Sequence, residues 1–208
     1  MRMASTLSNV RTAQRRTPQQ ERGERRVVEL LEAAASVMAE RGYDAATMTE
    51  IAERANSSIG SLYQYFPNKE AVVQALRKKY VEELEERWVP LVAQASRMSL
   101  KQLVDRLFDM IIDYIEKRPA YLPLQGAAGS YRRDAASRNR LREQFAALFR
   151  ERRPEMSKEA AFRVANVTVQ VLKAMNPLYV EAKGVEREEI VREFKSLLMG
   201  YLSSRLQP

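Results

Sequence analysis

The chain has 208 residues, 45% of them hydrophobic, and contains neither cysteine nor histidine. That length suits one or two domains with a substantial core, and the missing residue types exclude disulfides, structural zinc, thiol nucleophiles and imidazole acid–base chemistry. No apolar run approaches the roughly 20 residues that cross a bilayer, and no signal-peptide segment is visible, so the sequence predicts a cytoplasmic protein without a cofactor or a membrane partner.

The net charge of +8 is largest near the N-terminus, where residues 1–26 contain seven arginines and two glutamates. Residues 1–22 are polar and are predicted to form a flexible basic arm. Arginines of this kind neutralise phosphates and give sequence-independent affinity for nucleic acid. The alternative is a solvated tail that only keeps the protein soluble.

Apolar residues recur every three or four positions after Glu24, and Gly42 follows Arg41 as a C-cap. This spacing predicts a first helix from Glu24 to Arg41. Its apolar positions are Val27, Leu30, Leu31, Ala34, Ala35 and Met38.

Two short helices are predicted next. Thr47 and Glu50 form a capping-box pattern, so a helix should begin at Met48. Asn56, Ser57 and Ser58 favour a turn, and a second helix should follow over residues 58–66.

The second short helix has a core arc and a displayed arc when it is plotted at about 100° per residue. The core arc contains Ile59, Leu62, Tyr63 and Phe66. The displayed arc contains Gly60, Ser61 and Gln64, with Tyr65 on its flank. A glycine inside a helix costs about 0.5–1 kcal/mol, which is understandable if another surface lies against the backbone there. Two helices with such a turn, the second entering a DNA major groove, form a helix-turn-helix.

This region resembles the DNA-binding domain of the tetracycline-repressor (TetR) family of bacterial transcription regulators. Gly42-Tyr43, Ala46-Thr47, IAERAN and GSLYQYFPNKEAVV carry the resemblance, from about Arg25 to Leu76. The family's turn often has glycine and valine where this chain has Asn56 and Ser57, and asparagine tolerates the left-handed conformation.

The DNA contacts are predicted from the positions of residues on the two short helices and from the family resemblance. Thr47 and Ser58 lie at helix N-termini, which favour phosphate. The resemblance implies that Tyr63, Tyr65 and Lys69 clamp phosphates, and such clamps carry little sequence information. Base reading should fall to four residues with access to the major groove: Thr49, Gly60, Ser61 and Gln64.

A long helix from Asn68 to about Pro90 should join this DNA-binding head to the remaining chain, with Val72, Leu76, Tyr80, Leu84 and Trp88 inward.

Residues 99–117 form a helix that is apolar over about 200° of its circumference and therefore lies inside a bundle. A line of acids occupies its remaining arc and is read as a solvated face, with a metal or cationic ligand as the alternative: Asp105, Asp109, Asp113 and Glu116. Residues 120–129 are predicted to connect helices, because Gly126 and Gly129 lack the context of a phosphate loop.

Three more helices complete an all-α fold, over residues 134–152, 157–182 and 187–206. The first has outward arginines that are read as solvated: Arg138, Arg140, Arg142, Arg150, Arg152 and Arg153. The last two could close the monomer core or pack against a second copy as a four-helix interface. The family resemblance implies the second arrangement, a homodimer that reads two half-sites of a double-stranded DNA operator about 34 Å apart.

The resemblance also implies a small-molecule inducer, mainly apolar, among the middle helices. The sequence leaves pocket and core open as alternatives for each candidate lining residue: Phe108, Ile111, Ile112, Tyr114, Ile115, Tyr121, Leu124, Phe145, Phe149, Val167, Val171 and Met175. Ligand binding is expected to change the head separation through the Asn68–Pro90 helix and to release DNA.

The predicted organisation is an arm (1–22), a helix-turn-helix domain (23–70) and a helical ligand-binding and dimerisation domain (71–208). The function expected from it is a repressor that a ligand releases from its operator. An all-helical enzyme with paired carboxylates is one alternative, but the clustered acids point outward. A helical adaptor is the other, and it leaves Gly60, the capping box and the arginine arm unexplained.

Overall fold

The structure is a computed structural model that describes residues 18–126 and 135–206. Every regular element within these ranges is a helix, which confirms the predicted all-α class. None of the described helices is long and apolar enough to cross a membrane. The helices are α1 (Pro18–Ala45), α2 (Met48–Arg54), α3 (Ile59–Tyr65), α4 (Lys69–Ala95), α5 (Leu100–Lys117), α6 (Tyr121–Gly126), α7 (Ala135–Arg152), α8 (Lys158–Glu181) and α9 (Val185–Leu206).

Helix α1 begins at Pro18, six residues before the predicted start at Glu24. Proline is favoured at the first helical position because its missing N–H has no partner there in any case. Residues 18–22 of the predicted flexible arm are therefore helical. Residues 1–17 of that arm lie outside the described residues. Gly42 has φ +77° and kinks α1 near its end, in a backbone conformation that glycine adopts without strain.

The connection between α2 and α3 follows the sequence prediction closely. The Thr47 side chain accepts from the Glu50 backbone N–H at 3.2 Å, and the Thr47 N–H donates to Glu50 Oε2 at 3.0 Å, which completes the capping box. Asn56 has φ +48°, the left-handed conformation expected of an asparagine in this turn. The Ser58 side chain then caps α3 by accepting from the Ser61 N–H at 3.1 Å.

Helix α4 joins the two halves of the molecule and continues through Pro90 to Ala95, whereas the sequence predicted an end near Pro90. Pro90 is exposed, so water can solvate the carbonyl that loses its helical donor. Asn68 caps the helix, since its Oδ1 accepts from the Ala71 N–H at 2.8 Å. The predicted inward stripe is buried as expected: Val72, Leu76, Tyr80, Leu84 and Trp88.

Helices α5 to α9 enclose the second part of the core. Ser99 and Gln102 form a capping box at the start of α5, and that helix is buried along most of the predicted apolar arc, with Met110 and Ile112 half-buried. The predicted connection after α5 contains the short helix α6, and Gly129 lies outside the described residues. Gly184, with φ +53°, separates α8 from α9.

The acids of α5 pair with cations on neighbouring helices, so the reading of a solvated face was incomplete. Lys195 Nζ of α9 lies 3.3 Å from Asp105 Oδ1 and 2.8 Å from Asp109 Oδ1. Arg87 of α4 pairs with Asp113 at 2.6 Å. No group of three or more acids suited to a metal ion occurs in the part of the chain that is described.

Arginines of α7 also bind other helices and are not simply solvated. Arg152 donates to the carbonyl oxygens of Ala95 and Met98, at the C-terminal end of α4. Arg140 pairs with Glu85 of α4 at 3.0 Å. The Arg138 side chain lies outside the described residues. These contacts hold α7 against the end of α4.

Helix α6 links the two halves of the molecule. It contacts α1 of the N-terminal unit as well as α4. Arg77 of α4 donates through Nε to the Leu124 carbonyl oxygen at 3.0 Å, so the end of α6 is tied to α4. Any displacement of α6 would therefore also displace α1 and α4.

Candidate DNA interface and ligand pocket

The exposed side of the α2–α3 pair contains the residues predicted to read bases. We call Thr49, Gly60, Ser61 and Gln64 the reading face. Thr49, Gly60 and Gln64 are exposed and Ser61 is half-buried, and none of these four side chains is large or charged. A surface of this shape can approach a groove closely.

Two residues of the predicted core arc of α3 are exposed. Ile59 and Tyr63 have 40% and 50% of their surfaces exposed, whereas Leu62 and Phe66 are buried. The prediction that all four face the core was wrong for Ile59 and Tyr63, because a helix of two turns contacts its neighbours along a narrow line. Tyr63 and Tyr65 are thus both accessible to an outside partner.

Gly60 occupies open space. A Cβ built at this position would meet no described atom within 4 Å. Packing inside the described chain therefore gives no reason for glycine at this position. The helix-weakening glycine is consistent with a surface outside the chain lying against α3.

The two helix N-termini differ in what they can offer a phosphate. At α2 the Thr47 hydroxyl donates to Glu50 Oε2 at 2.9 Å, and the Thr47 N–H donates to the same oxygen. Both donors of Thr47 are therefore occupied by a carboxylate, which also opposes an incoming anion. At α3 the first turn has no acidic residue, and Ser58 is exposed. Ser58 is the better placed of the two predicted phosphate contacts.

Lys69 has its ammonium group turned into the protein. Its Nζ donates to the carbonyl oxygens of Tyr43, Asp44 and Ala46 at 2.8, 3.0 and 3.0 Å, and lies 4.5 Å from the centre of the Tyr43 ring. All three ammonium protons can be used in this way. This geometry argues against the phosphate clamp that the resemblance implied and makes Lys69 a tie between α4 and the end of α1.

Replacing Lys69 by methionine should therefore reduce stability more than it changes DNA electrostatics. A hydrogen bond to a charged group contributes about 1.5–3 kcal/mol net to stability, and we expect a loss of about 2 kcal/mol in the free energy of unfolding. Urea titration measures this loss. A phosphate clamp would instead leave stability unchanged and reduce the salt slope of DNA binding by about one, and that result would contradict the assignment.

Contacts from α1 fix the orientation of the α2–α3 pair. Arg54 of α2 donates to both carboxylate oxygens of Glu40 at 2.7 and 2.8 Å, and this hydrogen bonding lowers the pKa of Glu40 to about 2. Arg26 reaches the carbonyl oxygens of Ala55 and Asn56 at 3.4 Å each, on the turn itself. The α2–α3 pair, and the reading face with it, is thus tied to α1 through two arginines.

A small cavity of about 50 Å³ lies between α4, α5, α6, α7 and α8. Two of the predicted ligand residues, Ile111 and Tyr121, line it. The other lining residues are Val81, Leu84, Glu85, Trp88, Leu141, Val169, Leu172, Lys173 and Asn176. Ligand pockets are typically several hundred Å³, so a drug-sized ligand would have to separate these side chains.

Most of the remaining predicted ligand residues fill the core. The structure buries Phe108, Tyr114, Ile115, Leu124, Phe145, Phe149 and Met175. Ile112 and Val171 are half-buried, and Val167 has 39% of its surface exposed on the outer side of α8. The structure therefore does not bring Val167 to the cavity. The reason is that α8 has two apolar arcs, and the buried one contains Thr168, Leu172 and Met175.

Sequence reasoning missed the polar groups of this cavity, above all Asn176. Its spacing from Leu172 and Thr168 on α8 places it on the buried arc. A polar residue on an otherwise apolar arc was the signal that could have found it.

Helices α8 and α9 each carry a stripe of apolar side chains that are exposed or only partly buried against the core. The outer stripe of α8 is Val167, Val171 and Leu178. The outer stripe of α9 is Ile190, Phe194, Leu197 and Tyr201, with spacings of four, three and four residues. Leu197 has 57% of its surface exposed. Such stripes are unusual on a surface in contact with water and typical of a surface that binds another apolar surface.

Both halves of the chain match families of known proteins. Residues 30–76 match the bacterial regulatory proteins of the tetR family, and residues 99–202 match the tetracyclin repressor-like C-terminal domain. The second match alone covers half of the chain.

Two curated relatives are similar to about two-fifths of this chain. The HTH-type transcriptional repressor KstR2 of Rhodococcus jostii (strain RHA1) is 36% identical over 88 residues, or 41% of this chain and 43% of that protein. The HTH-type transcriptional activator FasR of Mycolicibacterium smegmatis is 39% identical over 89 residues, or 40% of this chain and 39% of that protein. The matched stretches thus span about two-fifths of these relatives.

Solved structures share the fold over most of the chain. A TetR-family transcriptional regulator from Streptomyces coelicolor superimposes with a TM-score of 0.63 at 24% identity, covering 87% of this chain and 99% of that one. A TetR-family transcriptional regulator from Pectobacterium atrosepticum gives a TM-score of 0.65 at 20% identity, covering 93% and 99%. At these identities the likeness is one of fold.

Proposed function

Because this chain belongs to the TetR family of bacterial transcription regulators, we propose that it is a repressor, binds a palindromic operator as a homodimer and is released by a small, mainly apolar ligand. Family membership makes it a DNA-binding transcription regulator and not an enzyme. This excludes the alternative of an all-helical enzyme with paired carboxylates. The alternative of a helical adaptor has no remaining support.

The observation that carries the DNA-binding proposal is the open reading face of α2 and α3. Gln64 is exposed on α3, and the other residues of the reading face are small. A glutamine amide can form two hydrogen bonds with the N6 and N7 groups of adenine in the major groove. Ser58, Tyr63 and Tyr65 are accessible for phosphate contacts, which set register without reading sequence.

The outer stripes of α8 and α9 support the homodimer. A two-fold axis places the same stripe on both copies, so two helices from each subunit form a four-helix contact. Dimers of helix-turn-helix proteins read half-sites about 34 Å apart. A palindromic operator follows from that symmetry.

The contacts around the cavity support a proposed route from ligand to DNA. The Tyr121 ring at the cavity contacts the rings of Tyr80 and Tyr114, with centroids 6.0 and 5.1 Å apart. Tyr80 lies on α4, and Arg77 of the same helix holds the end of α6. A ligand that displaces Tyr121 would move α6 and α4 together and so change the position of α3 relative to its partner copy.

Gln64→Ala tests the reading face directly. We expect about tenfold weaker binding to the preferred operator for each half-site, because a bidentate amide–adenine pair contributes about 1–3 kcal/mol of discrimination. Binding to random DNA should be nearly unchanged, since phosphate contacts supply it. Genomic fragments selected by the purified protein provide the operator, and gel shifts at fixed salt measure both affinities.

The matched control for this experiment is Gln74→Ala. Gln74 is an exposed glutamine on α4, away from the reading face. It should leave both affinities unchanged. Equal losses of Gln64→Ala on operator and random DNA would show that Gln64 does not read bases.

A further inference from the structure

Asn176 presents an unsatisfied polar atom to the cavity. Its side chain is 8% exposed, and Oδ1 has no hydrogen-bond partner among the described residues. Buried polar groups in folded proteins nearly always have a partner, so each exception needs an explanation. Here the oxygen belongs to a residue that lines the cavity between α4 and α8.

The walls around Asn176 are apolar. Leu84, Trp88, Ile111 and Leu172 are among the apolar residues that line the cavity. They give an occupant apolar contact, and Asn176 Oδ1 offers it a hydrogen-bond acceptor that has no partner among the described residues. Apolar pockets with few convergent polar groups are the usual form of small-molecule sites.

Charge at the cavity argues against an ionic occupant. Glu85 and Lys173 both line it, and Glu85 is paired with Arg140 at 3.0 Å. Neither side chain is without a partner, so neither charge is left unpaired for an ionic ligand. A carboxylate ligand would meet the carboxylate of Glu85, and a cation would meet Lys173 and the Arg140 that already pairs with Glu85.

We infer that Asn176 accepts a hydrogen bond from an uncharged, mainly apolar ligand that carries a hydroxyl group. This inference rests on the proposed function, since it specifies the ligand of the same cavity. The ligand donates its O–H to Oδ1 and places its hydrocarbon part against the apolar walls. A buried amide selects for such a ligand because an analogue without the hydroxyl leaves Oδ1 unpaired in an occupied site.

A matched pair of probes tests this selection: 4-ethylphenol and 4-ethyltoluene, which differ in a hydroxyl and a methyl group. Isothermal titration with the full-length protein should show about tenfold tighter binding of the phenol, the ratio expected for one net hydrogen bond. In Asn176→Leu, which keeps the side-chain size, the two affinities should agree within about twofold.

Thr168→Val is the matched control for Asn176→Leu. Thr168 is a buried polar residue on the same helix, but its hydroxyl already donates to the Val164 carbonyl oxygen at 2.9 Å. This variant should retain the preference for the phenol. Asn176→Leu should also unfold at a higher temperature than the unmodified protein, because it removes an unpaired buried acceptor.

Several results would overturn the inference. They are binding of neither probe, equal binding of both by the unmodified protein, or a phenol preference that survives in Asn176→Leu. A buried water held by Oδ1 would produce the second of these results. Because titration is done without DNA, failure of the proposed function is seen separately: the phenol would bind through Asn176 and operator affinity would not change.

Discussion

Leu197→Glu is expected to convert the proposed homodimer into monomers and to lower affinity for a two-half-site operator by about 10²–10⁴-fold. Leu197 is the most exposed member of the outer stripe of α9. In a two-fold interface the substitution occurs twice, so two carboxylates would be removed from water without cationic partners. Each monomer would still contact one half-site but would lose the gain from binding both.

Sedimentation velocity measures the oligomeric state, and gel shifts on operators with one and two half-sites measure the affinity. Ser196→Glu is the matched control, because Ser196 is exposed on the same helix but lies outside the outer stripe. This variant adds the same charge next to Leu197, and the protein should remain a dimer. A Leu197→Glu protein that stays dimeric with full operator affinity would contradict the proposed interface.

Phe145→Ala should reduce the free energy of unfolding by about 3–5 kcal/mol, the usual cost of deleting a buried phenylalanine. Phe145 is fully buried, and its ring lies 5.6 Å from the Trp88 ring and 5.9 Å from the Phe149 ring. Removing it takes away these aromatic contacts and leaves a hole beside a helix that already borders a cavity.

Urea unfolding at one fixed protein concentration measures the loss, since the stability of a dimer depends on concentration. Phe145→Leu is the graded control, and it should lose less because most of the volume is kept. A loss below about 1 kcal/mol for alanine would mean that the site collapses or was never tightly packed. In that case Phe145 would be a pocket wall, the alternative that the sequence left open.

Local patterns predicted local structure well. Thr47 and Glu50 form the capping box, and Asn56 takes the left-handed conformation that its position in the turn suggested. These features depend on residues within four positions of one another, so the sequence contains all the interacting groups. The buried stripe of α4 was equally predictable, because it depends on one helical period.

Tertiary partners were not predictable in the same way. A lysine at the start of a helix beside the reading face can reach a phosphate, but Lys69 has three carbonyl oxygens within 3.0 Å that only the folded chain supplies. Similarly, α8 has two apolar arcs, and periodicity does not say which arc faces the protein's own core. Val167 was assigned to the wrong arc for that reason.

The small volume of the cavity at Asn176 affects the ligand concentration at which such a regulator would respond. With about 50 Å³ in this conformation, the cavity would have to open before the proposed ligand entered, and the apparent dissociation constant would rise as the population of the open form falls. The threshold concentration at which transcription switches would then depend on how firmly α4, α7 and α8 are packed together. Sensitivity could drift over evolution through substitutions that never touch the effector molecule.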